Sequence, residues 1–77
     1  MASGRPAQRS TRLFIDVHEG EEIFVLRAQD SFAPEAIEMW ALTAGMRGAK
    51  REKVEAARAC AQRMRLWQAE HGSKIPD

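Results

Sequence analysis

Three arginines recur at seven-residue spacing, Arg51, Arg58 and Arg65, and Gln62 stands beside them. On a helix this spacing sets them along one flank. A guanidinium pairs bidentately with phosphate, so such a flank suits an anion. Arg47 and Lys50 precede the same run, where the free N–H groups of a helix start favour negative charge. Trp40 and Trp67 offer flat faces on which a base can stack. Arg27 shares a predicted strand face with Ile23 and Val25, and a charge on such a face needs a partner. Asp16 reads to the other face and can reach Arg27 only around an edge. Arg27, Trp40, Arg47, Arg51, Arg58, Arg65 and Trp67 are thus the parts of a pocket for a nucleotide-type small molecule. A plainer reading stands beside it. Exposed helix arginines pair with nearby acids such as Glu55, and tryptophans at helical spacing fill cores.

Other chemistries lack parts. Metal sites need clustered Cys, His and carboxylates. Here Cys60 is the single cysteine, and the two histidines, His18 and His71, lie 53 positions apart. Cys60 falls on an apolar helix face, where a thiol is an inert core residue. Ser31 reads as a helix cap, Glu21 and Glu22 lie in an exposed turn, and there is no Tyr. Gly45 and Gly48 read as a helix terminator, not a phosphate loop. The expectation is a chain that is not an enzyme and uses no cofactor and no metal. No apolar run approaches the length of a membrane span, and residues 1–11 lack the apolar stretch of a signal peptide. The single cysteine forbids an internal disulfide, which fits a reducing, cytoplasmic setting.

Charge is unevenly placed. From Asp16 to Glu38 there are seven acids and one base, and from Arg47 onward eight bases and four acids. The basic half suits an anion, or the halves neutralise each other. The acidic half makes DNA an unsuitable partner. A ribbon-helix-helix dimer has one strand before two helices, whereas two are expected here.

The elements that must position these residues follow from pattern. Residues 1–11 have no apolar periodicity and read as a disordered tail. Residues 12–77 read as one domain. Alternation over 12–17 and 22–27 predicts two strands, with Gly20 in the turn between them. Asp30 or Ser31 can cap the next helix, and Pro34 fits its first turn. That helix is expected from about Phe32 to Ala44, ended by Gly45 and Gly48. A second is expected from about Lys50 to His71, stopped by Gly72. The fold class is therefore α+β: an antiparallel β-hairpin followed by two α-helices, ββαα, the helices forming a helical hairpin.

The second helix carries one apolar stripe, Val54, Ala57, Cys60, Ala61, Met64 and Trp67, and Leu66 falls outside it. The first helix is apolar on two sides. Ile37, Trp40, Ala41 and Ala44 form one stripe; Met39, Leu42 and Met46 form another. A helix apolar nearly all round is buried all round. The expected oligomer interface is therefore Met39, Leu42, Met46 and Leu66, in a homodimer or higher oligomer. A heterologous partner is the competing use of the same surface.

The run FVLRAQDSFAPEAIEMWA, then KVEAARACAQRMRLWQ and a terminal KIPD, resembles small uncharacterised proteins encoded by tailed phages and prophages. The likeness spans roughly residues 13–77, and its strings carry no chemistry of their own. It implies a viral protein that acts on the host by binding. By analogy with phage counter-defence proteins, the expected activity is sequestration of a nucleotide-derived immune signal in an oligomeric pocket. The alternative is an adaptor or inhibitor of a host defence or regulatory protein.

Overall fold

The structure, a computed structural model, describes residues 16–76. Two helices organise them: α1, Ala33–Met46, and α2, Arg51–His71. They pack side by side as an antiparallel pair joined by a four-residue turn, 47–50.

The turn forms because Gly48 takes a left-handed conformation, with φ of 90°. Ala49 N–H then donates to the Ala44 carbonyl at 2.9 Å and Gly48 N–H to that of Gly45 at 3.3 Å. These paired bonds satisfy the last carbonyls of α1. Gly45, expected as a terminator, instead lies inside the helix. At the other end the Asp30 carboxylate accepts from Phe32 N–H at 2.8 Å, and its carbonyl accepts from Ala33 N–H at 3.0 Å. Asp30 is thus the residue that opens α1, while Ser31 bonds elsewhere.

Buried and half-buried positions of α2 fall at 54, 57, 61, 64 and 68, with half-buried Cys60 beside them. These steps of three and four mark one seam along a helix. Ala33, Pro34, Ile37, Ala41 and Ala44 line the facing seam of α1. Small side chains let helix axes approach closely. The buried hydrophobic core is slight, consisting of Ala33, Ala41, Val54 and Ala61 among the described residues.

The expected ββαα architecture is corrected: the described residues hold no β-strand. Residues 12–15 of the first expected strand lie outside them, as does the 1–11 tail. The turn itself is present, with Glu21 N–H donating to the His18 carbonyl at 3.0 Å and Gly20 at φ 80°. His18 N–H meanwhile donates to the Glu21 side chain at 2.9 Å, not to its backbone. The reciprocal bond that would start a ladder is therefore missing. Residues 22–27 run without regular structure, with Ile23, Phe24 and Val25 exposed.

Candidate functional site

Two features give the helical hairpin distinct sides. Arg65 of α2 donates to the Glu38 carboxylate of α1, fixing one broad side by an ion pair. The hydrogen bond to Glu38 raises the guanidinium further above its usual value, with the charges of Glu38 and Glu35 adding and desolvation opposing. Trp40 follows Glu38 by two positions and Trp67 follows Arg65 by two. Two positions turn a helix by about 200°. Both tryptophans therefore face the opposite broad side, where Cys60 also lies by the same geometry.

This side is apolar and open. Trp40 is 53% exposed and Trp67 39%. The Trp67 indole stacks on the His71 ring, with centroids 4.1 Å apart and planes at 17°. His71 Nδ1 sits 3.0 Å from the Trp67 carbonyl. A carbonyl only accepts, so Nδ1 carries the proton and Nε2 is the nitrogen left to meet a partner. Lys53 and Arg63, both exposed, border this side.

The seven residues expected to line one pocket are spread around the molecule. Arg51 pairs with Glu55 at 3.2 Å and Arg65 with Glu38. Arg58 lies along the same flank of α2, away from both tryptophans. Arg47 sits in the inter-helix turn. Arg27 is exposed, so water solvates its charge and the need for a buried partner disappears. Two shallow grooves occur near the open end of the hairpin. One, of about 220 Å³, is lined by Val25, Arg27, Gln29, Asp30, Lys74 and Pro76. The other, of about 250 Å³, is lined by Gln29, Trp67, His71, Gly72, Ser73 and Lys74. Pockets that engulf a small molecule are commonly about 300–1,000 Å³. Arg27 and Trp67 are the expected residues that reach them, one in each groove.

Of the expected oligomer interface, Met39, Leu42 and Met46 lie exposed along the outer side of α1, Met46 at 78%. Leu66 is exposed too, about 160° round α2 from its seam and so on the far edge of the hairpin.

Pattern reading missed the device that closes the open end. Gln68 Nε2 donates to the carbonyls of Ala28 and Asp30, both at 2.9 Å. The segment after α2 adds a parallel bridge, with Ser31 N–H donating to the Lys74 carbonyl and Lys74 N–H to that of Gln29, each at 2.9 Å. Ser31 and Ser73 join their hydroxyls at 2.9 Å. The one advance signal was position 68, a polar residue on the seam spacing of α2.

Among the described residues no group of three His, Cys, Asp or Glu stands where it can hold a metal ion. Among them also, no helix is long and apolar enough to cross a membrane. No family model, no curated protein and no solved structure matches the chain.

Proposed function

We propose that this protein is a non-catalytic interaction module that docks a protein partner on the tryptophan side of its helical hairpin. One observation carries the reading. The buried hydrophobic core holds three alanines and one valine, while Trp40, Trp67 and nine other large apolar side chains stay exposed. Exposed apolar surface on this scale marks a contact site. Tryptophan is the residue type most enriched at binding hot spots, because it couples a large apolar area to a polar N–H. Lys53 and Arg63 at the border favour a partner whose own apolar patch is rimmed by acids. With the resemblance to small phage proteins, the reading becomes an adaptor or inhibitor of a host defence or regulatory protein.

The test is affinity capture from host cells with three baits. The native chain should retain one stoichiometric protein, and Arg51→Ala/Arg58→Ala should retain it too. Trp40→Glu/Trp67→Glu should lose it. Equal retention by the tryptophan variant contradicts the proposal.

A second reading rests on the Trp67–His71 stack beside the groove of Gln29, Ser73 and Lys74. A flat aromatic pair next to a lysine suits a planar anionic ligand, which keeps sequestration of a nucleotide-derived signal in play. Calorimetry against cyclic dinucleotides and ADP-ribose derivatives separates the two readings. Saturable heats lost in Trp67→Ala favour sequestration, and flat titrations across the panel reject it.

A further inference from the structure

The outer side of α1 has an order that the tryptophan side lacks. Glu35, Met39, Leu42 and Met46 follow one another at steps of four, three and four, so they form a single stripe. All four are exposed. The stripe begins with an acid in the first turn of the helix and ends beside Arg47 and Lys50, both exposed in the turn that follows. Neither base has an ion pair among the described residues, and neither has Glu35.

An acid at one end, bases at the other and apolar residues between make a surface complementary to itself. A two-fold axis perpendicular to the helix, passing between Met39 and Leu42, sets residue 35 of one copy opposite residue 46 of the other. It also sets 39 opposite 42. We infer that two copies of this chain associate through this stripe, their α1 helices antiparallel and Glu35 of each meeting Arg47 of the other. Isologous contact of this kind uses one patch twice, so each favourable pair occurs twice. Opposed helix dipoles add to the fit. The Glu38–Arg65 side of the hairpin continues the stripe toward α2, where the aliphatic stems of Arg58 and Arg65 can extend the contact.

Size sets the strength. Stable interfaces bury about 1,200–2,000 Å² in total. Three large apolar side chains on a helix about 21 Å long reach only the low end of that range. The dimer is therefore concentration-dependent, forming in the micromolar range rather than persisting at any dilution. The tryptophan side stays open in it, so this association and the partner docking proposed above fail or succeed separately.

Sedimentation equilibrium of the full chain tests the inference, with circular dichroism recording the helix content of every variant. The native chain should pass from monomer to dimer as concentration rises through the micromolar range. Leu42→Asp should stay monomeric with unchanged helix content, since Leu42 lies outside the core. Glu35→Arg should weaken association about tenfold, because two pairs are lost and two repulsions gained. Glu35→Arg/Arg47→Glu should recover most of that loss. A native chain that remains monomeric to about 1 mM overturns the inference, as does dimerisation of Leu42→Asp at native strength. A double variant no stronger than Glu35→Arg alone overturns the antiparallel register.

Discussion

Gln68 holds two carbonyls on the far side of the open end, and it is only half-buried. One amide group thus ties α2 to the turn that starts α1. Gln68→Ala removes both bonds, and water can replace part of each. The expected cost is about 1–2 kcal/mol in thermal or urea unfolding. Amide exchange should quicken at Ser31 and Lys74, whose N–H groups form the neighbouring bridge. Two glycines should respond in opposite directions. A Cβ on Gly45 would meet the Val54 methyls at 3.8 and 3.9 Å, ordinary contact, and the site is helical. Gly45→Ala should therefore stabilise by about 0.5–1 kcal/mol. At Gly48 space is open but φ is +90°. Gly48→Ala should destabilise by about 1 kcal/mol, from the strain of a left-handed residue bearing a Cβ. Chemical denaturation of the two variants in parallel checks both signs.

At the scale of elements, the two helices were legible because their signals are local. Pro34 near the start of α1, a run of good helix formers in α2, and Gly48 and Gly72 at the ends each act within a turn of chain. The β-hairpin was misread because alternation over 22–27 records only which side chains share a face. Whether a strand forms depends on a ladder partner, and at this turn His18 N–H donates to the Glu21 side chain and not to its backbone. The expected pocket fails to assemble for a simpler reason. Arg65 and Trp67 stand two positions apart on α2, so helix periodicity alone turns them to opposite sides. The seam between the helices then sets Arg65 beside Glu38 and leaves both tryptophans on the other side. The seam itself makes a prediction. Ala61 is fully buried against α1. Ala61→Leu should force the helices apart and cost about 1–3 kcal/mol, read as a lowered melting temperature with helix content largely kept.

For the whole molecule, a small hairpin with so slight a core cannot draw its stability from burial alone. Small domains usually add a disulfide, a metal or an associated copy. Cys60 cannot form an internal disulfide, and the described residues bring together no metal-ligating cluster. Contact with other surfaces would add to it, and the hairpin offers two of different character. The tryptophan side is apolar with a basic border, and the outer stripe of α1 is apolar with opposite charges at its two ends. Any ligand that binds the folded hairpin and not the open chain raises its apparent stability.

Oxidative footprinting read by mass spectrometry addresses the tryptophan side directly, since tryptophan and methionine react readily when exposed. In dilute free protein Trp40, Trp67, Met39 and Met46 should all be modified. In the complex with the captured partner, Trp40 and Trp67 should be protected while Arg58 stays open to a guanidinium-directed label. Unchanged modification of both tryptophans in a complex that remains intact would contradict the account.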